Sequence, residues 1–194
     1  MIRFILPLVA ALFIGHTATA QEIPMATTPT TAAASPEDTL VFELSTGGVV
    51  KIEMRPDKAP GHVARIKELV RSHFYDGTVF HRVIDGFMAQ GGDPTGTGMG
   101  GSKLPNLKAE FNDLPHLRGV ASMARSQSPD SANSQFFLVL APSQFLDGQY
   151  TAWGRVSDGM DAVDGISKGE PPANPTKIVK AYILADVAKA TDHK

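Results

Sequence analysis

Residues 80–93 read Phe80-His81-Arg82-Val83-Ile84-Asp85-Gly86-Phe87-Met88-Ala89-Gln90-Gly91-Gly92-Asp93. Two apolar runs flank Asp85-Gly86, a pair that turns a chain readily, so the stretch predicts two short strands, Val79 to Ile84 and Phe87 to Gln90. A strand with one apolar face has no ordinary use for Arg82 or Gln90 among Phe and Met. Such an arginine is either a salt-bridged core cation or a group that reads a ligand. Taken alone, these residues favour the structural reading, a salt-bridged core arginine, over the ligand-reading one.

The surrounding chain repeats the strand pattern. Thr39 to Leu44 and Val49 to Met54 are apolar, partly β-branched runs joined by Ser45-Thr46-Gly47-Gly48, the signature of a hairpin. Val120 to Met123, Gln135 to Leu140, Thr151 to Val156 and Ile178 to Leu184 are further short strands, separated by clusters of Gly, Pro, Asp and Asn. Two segments have helical spacing instead. Pro60 suits a first helical turn, and Val63, Ile66, Leu69 and Val70 form one apolar stripe that Tyr75-Asp76-Gly77 ends. Gly159 to Ile166 places Met160, Val163 and Ile166 on one side. Eight strands and two helices predict a mainly β fold, a closed eight-stranded antiparallel barrel capped by two α-helices, because closure removes exposed sheet edges. Ser134-Gln135-Phe136-Phe137-Leu138-Val139 sets an amide beside phenylalanines again, and Phe145-Leu146-Asp147-Gly148-Gln149-Tyr150 adds an apolar cluster at a turn.

Ahead of the strands the composition changes twice. Arg3 precedes an apolar run from Phe4 to Gly15, and Ala18-Thr19-Ala20 has the small-x-small form that signal peptidase accepts. The run is too short to span a bilayer, so residues 1–20 are expected to be an export signal cleaved after Ala20, leaving no stable membrane insertion. Residues 21–37 are rich in Thr, Ala and Pro, carry no aromatic, and are expected to be a flexible linker. The working domain is then 38–190.

Composition excludes several function classes. With 18 Lys and Arg against 20 Asp and Glu, the net charge of −2 lacks the basic excess that nucleic-acid binding uses. The absence of cysteine removes disulfides, thiolate catalysis and cysteine-ligated zinc. Gly96-Thr97-Gly98-Met99-Gly100-Gly101 satisfies G-x-G-x-x-G, but Ser102-Lys103-Leu104-Pro105 does not continue as the helix a dinucleotide site requires. It reads as a glycine-rich loop at the surface or at the rim of a site. None of His16, His62, His73, His81, His116 and His193 lies four residues from another, so no metal site is expected. The scattered acids offer no glycosidase-type pair.

The segments Phe80-His81-Arg82-Val83-Ile84, Gly86-Phe87-Met88, Gln90-Gly91-Gly92-Asp93, Ser122-Met123-Ala124, Ser134-Gln135-Phe136-Phe137 and Phe145-Leu146-Asp147-Gly148 together resemble the cyclophilin family of peptidyl-prolyl cis-trans isomerases. They fall in that family's order and spacing, and the resemblance covers roughly Thr39 to Val187. It implies that Arg82 is catalytic and that Phe87, Met88, Phe137 and Leu146 line a pocket for the substrate proline. It implies also that Gln90 and Gln135 hydrogen-bond the peptide, while the backbone around Ala124 and Arg125 pairs with residues preceding the proline. Arg125, Phe145 and Tyr150 stand where the best-known eukaryotic pattern has Asn, Trp and His, which resembles the bacterial branch. Phe145 lacks an indole N–H, so weak cyclosporin binding is expected.

The resemblance implies a periplasmic isomerase, exported by its signal, that needs no cofactor and acts as a monomer on proline-containing unfolded or nascent exported polypeptides. A peptide-binding holdase using the same groove is the alternative.

Overall fold

The computed structural model describes residues 35–191. The expected signal, 1–20, and most of the expected linker, 21–37, lie outside the described residues. Pro36–Asp38 form a 3-10 turn at its start, with the Ser35 hydroxyl accepting the Glu37 N–H at 3.3 Å.

Eight strands follow: β1 (Thr39–Leu44), β2 (Val49–Met54), β3 (Arg82–Ile84), β4 (Met88–Gly91), β5 (Val120–Met123), β6 (Phe136–Val139), β7 (Ala152–Asp158) and β8 (Ile178–Ile183). They make one antiparallel sheet in the order β3-β4-β6-β5-β7-β2-β1-β8. The expected closure is not made. β3 and β8 are the two edges of a curled, open sheet, and the seam is crossed by isolated bridges, such as Val79 to Lys177 and Val83 to Gly169, and by the Gly77 N–H bond to the Ile178 carbonyl. The physical reason is local. β3 has only three residues, and its outer edge is bonded through Val83 to Gly169 rather than to β8.

The helices also differ from expectation. α1 (Pro60–Arg71) starts with Pro60 in its first turn and buries Val63, Ile66, Leu69 and Val70, each worth about 1.5–3 kcal/mol of burial. Its N-terminus has no cap from its own sequence. The Glu110 carboxylate supplies one, accepting the N–H groups of Gly61 and His62, both at 3.0 Å, and touching His62 Nδ1 at 2.6 Å. The helix ends before Tyr75 because His73 turns left-handed at φ 59°, and Phe74 N–H then reaches back to the Leu69 carbonyl. α2 (Met160–Asp164) is a single short turn where a longer helix was expected. A third helix not foreseen, α3 (Leu184–Thr191), continues from β8. Arg71 ties it down by bridging Asp186 and Glu37.

Side chains alternate across the sheet and build two cores. Phe42, Tyr75, Phe80, Phe136 and Trp153 fill the inner one, with Phe136 edge-on to Tyr75, Phe80 and Trp153. A smaller cluster of Met88, Val120, Phe137, Val139, Leu146 and Ala152 lies on the other face, where Phe87 and Tyr150 pack against it. Adjacent residues of β6 therefore serve different cores: Phe136 belongs to the interior and Phe137 to the outer cluster.

Candidate active site

Strand register brings the outer face together. Arg82 pairs with Gln90, Gln90 with Phe137, and Phe137 with Ser122, so β3, β4, β6 and β5 each contribute one residue to a single transverse row. The next row, Val83, Ala89, Leu138 and Ala121, is buried in the inner core and anchors the first. Above the outer row lies a cleft of about 540 Å³, a size suited to a small ligand or one residue of a peptide. Phe87, Met88, Phe137, Leu146 and Tyr150 form its apolar walls, with Arg82, Gln90, Ala124 and Arg125 as polar or backbone contributors.

Each expected residue has a definite place. Arg82 is not a core cation: its side chain is 44% exposed, and its Nε donates to Glu170 Oε2 at 2.7 Å. An exposed pair of this kind adds about 0.2–1 kcal/mol to stability, so the arginine is not explained as a structural brace. Gln90 lines the cleft, and its Nε2 donates to Gln135 Oε1 at 2.9 Å. Gln135 is committed elsewhere. Its Nε2 donates to the carbonyls of Gly98 and Gly100, at 3.0 and 2.8 Å, and it lines an adjoining cleft. Ala124 N–H is taken by the Gln135 carbonyl at 3.0 Å. Arg125 folds over the Tyr150 ring at 4.6 Å and donates to the carbonyls of Gln149, Ser126 and Gln127, tying two loops together. Phe145 lies outside the cleft lining, 64% exposed, with its ring 5.6 Å from that of Phe87.

Support comes from below. His116 stacks on Phe137 and is held by Asp147 Oδ1 at Nδ1 (2.8 Å) and by Ser122 Oγ at Nε2 (3.0 Å). The backbone N–H and ring of His116 keep the Asp147 carboxyl below the usual range. The trio has the composition of a hydrolytic triad without its exposure. Ser122 is fully buried and its hydroxyl donates to the Thr151 carbonyl, so the group braces the pocket floor.

The family model for cyclophilin type peptidyl-prolyl cis-trans isomerase/CLD matches residues 39–183. The chain belongs to the cyclophilins. A probable peptidyl-prolyl cis-trans isomerase of Brucella suis is 51% identical over 173 residues, covering 81% of this chain and 88% of that relative. The mouse peptidyl-prolyl cis-trans isomerase-like 1 is 40% identical over 163 residues, with 77% and 98% covered. Among solved structures, a cyclophilin from Hirschia baltica superposes with a TM-score of 0.73 at 34% identity, covering 79% of this chain and 76% of that one. A Cryptosporidium parvum cyclophilin, crystallised in the presence of the dipeptide Ala-Pro, gives 0.70 at 30% identity, covering 75% and 98%. The protein is thus a peptidyl-prolyl cis-trans isomerase.

This cyclophilin's cleft also contains residues that the strand pattern did not single out for it. His81 is buried beside Arg82, and among the described residues no side chain hydrogen-bonds either ring nitrogen. Burial, aided by the neighbouring Arg82 charge, lowers its pKa against the opposing pull of Asp93. The glycine-rich loop forms one rim through Gly96, Thr97 and Gly98. Gly98, at φ 83°, passes so close that an added Cβ would sit 3.3 Å from the His81 ring. Glu170 and Pro171 complete the opposite rim. No motif marks Glu170, which lies 88 residues from Arg82.

Proposed function

We propose that this cyclophilin isomerises X–Pro bonds through the Arg82-centred cleft, without a cofactor, and so assists the folding of exported polypeptides. The observation that carries the reading is the register row of Arg82, Gln90 and Phe137 beneath an apolar cleft. Rotating a peptide bond costs about 18–20 kcal/mol because amide resonance must be broken, and uncatalysed X–Pro exchange takes tens to hundreds of seconds. No covalent bond forms or breaks, so neither a nucleophile nor a metal is required. The walls of Phe87, Met88, Phe137, Leu146 and Tyr150 hold the proline ring and exclude water. Arg82 then donates to the amide nitrogen, whose basicity rises as it turns pyramidal, or steadies the carbonyl oxygen. A charge-assisted hydrogen bond of about 1.5–3 kcal/mol supplies roughly ten- to a hundredfold; shape and desolvation supply the rest. A ligand of that kind is named for the Cryptosporidium parvum relative, which was crystallised in the presence of Ala-Pro.

The apolar run and small-x-small site of residues 1–20 support export to the periplasm and cleavage after Ala20, with 21–37 as a tether and the domain working as a monomer. The deciding experiment is a protease-coupled isomerisation assay on a proline tetrapeptide with the chain from Gln21 onward. Catalytic amounts should accelerate exchange far above the thermal rate. Peptide binding with no acceleration would establish the holdase instead.

A further inference from the structure

We infer that Glu170 is a positioning residue: it holds the Arg82 guanidinium by its Nε–H and so keeps the two terminal amino groups available to the twisted amide. The inference rests on the isomerase reading of Arg82. Arg82 lies on a three-residue edge strand, where a long side chain has little to order it. The outer edge of β3 is met by residues 168–170. Val83 N–H donates to the Gly169 carbonyl at 2.8 Å, and Gly169 N–H returns the bond at 2.9 Å. On either side of this bridge stands an ion pair, Lys168 with Asp85 at 3.0 Å and Glu170 with Arg82 at 2.7 Å.

Three consecutive residues thus strap the edge strand in antiparallel order, and the last places its carboxylate on the catalytic side chain. The strap is built for that placement. Gly169 adopts φ 137°, and a Cβ there would meet the Pro172 Cα at 2.8 Å. Pro171 and Pro172 restrict the backbone directly after Glu170, which lowers the entropy lost in presenting the carboxylate. Among the described residues Glu170 is the one hydrogen-bond partner of Arg82, and it uses Nε alone. Both side chains are about half exposed, so the pair adds little to folding, and its effect belongs to the reaction.

The test is steady-state kinetics together with nitrogen-15 NMR of the arginine Nε–H groups, on the chain from Gln21 onward. Glu170→Ala should lower kcat about five- to tenfold, change KM less than about twofold and leave the melting temperature unaltered. Glu170→Gln, whose amide oxygen still accepts the Nε–H, should restore most of the loss. In an Arg82→Lys background, Glu170→Ala should cost nothing further, because lysine has no Nε–H to hold. The Arg82 Nε–H resonance, identified by its absence from Arg82→Lys, should broaden away in Glu170→Ala and return in Glu170→Gln. An unchanged kcat in Glu170→Ala, a loss that adds fully to that of Arg82→Lys, or an undisturbed resonance would overturn the inference. A wild-type chain without turnover would sink the isomerase reading separately, and the resonance alone would then judge whether Glu170 orders Arg82.

Discussion

Arginine stays protonated at every working pH, so chemistry resting on Arg82 has no titration of its own near neutrality. His81, buried in the same cleft, is the residue able to introduce one. Its pKa is lowered by burial and by the Arg82 charge, which favours the neutral ring and moves its titration to the acid side of the ordinary histidine range. We therefore expect kcat/KM on a proline tetrapeptide to vary less than about twofold between roughly pH 6 and 9. A bell-shaped profile centred near neutrality would make His81 an acid–base group. At this scale the sequence carried Arg82, Phe87, Met88, Gln90 and Phe137, because they sit within short runs whose order can be read directly. Glu170 was not legible: its role comes from one bridge between distant segments, and nothing local distinguishes it from a solvated acid. The salt-bridge alternative for Arg82 proved half right, since the pair exists but lies at the mouth of the cleft.

Among the elements, the glycine-rich loop shows how a rim is held without regular structure. The Asp93 carboxylate gathers the backbone N–H groups of Thr95, Thr97, Gly98 and Gly100 at 2.6 to 3.1 Å. Burial opposes its ionisation, yet these donors and the Thr95 hydroxyl bring its pKa down to about 2. A folded value below the unfolded one means that the stabilisation is complete above about pH 4 and disappears as the pH falls toward 2. Its size is on the order of 2 kcal/mol. Asp93→Asn should accordingly lower the melting temperature by about 4–8 °C at neutral pH and reduce kcat/KM, because the loop also positions Gly98 against His81. Melting curves with the coupled assay check both effects; an unshifted melting temperature would show that the carboxylate does not organise the loop. The strands were readable as elements because turn residues punctuate them. The end of α1 was not, since it depends on His73 entering a left-handed conformation that few residues other than glycine adopt.

For the molecule as a whole, edge closure was the global feature that strand counting missed. Eight short strands suggest a barrel, but closure requires β3 and β8 to present matching N–H and C=O groups. β3 has only three paired residues, and its outer edge is taken by Gly169. The open seam has a functional use, because it leaves β3 free to receive residues 168–170 and with them Glu170. The two-core arrangement serves the same end. The inner aromatic core and the smaller outer cluster hold the sheet, so the half-exposed Arg82 can offer a charged group at the apolar pocket without itself being needed for folding. If that division is correct, removing the Arg82 side chain should damage catalysis and spare the fold. The most direct measurement is kcat/KM for Arg82→Ala beside wild type in the coupled proline assay, with far-UV circular dichroism and melting temperature recorded on the same samples. The cleft described here predicts at least about a tenfold loss with dichroism and melting temperature close to wild type. Undiminished turnover, or a variant that fails to fold, would contradict it.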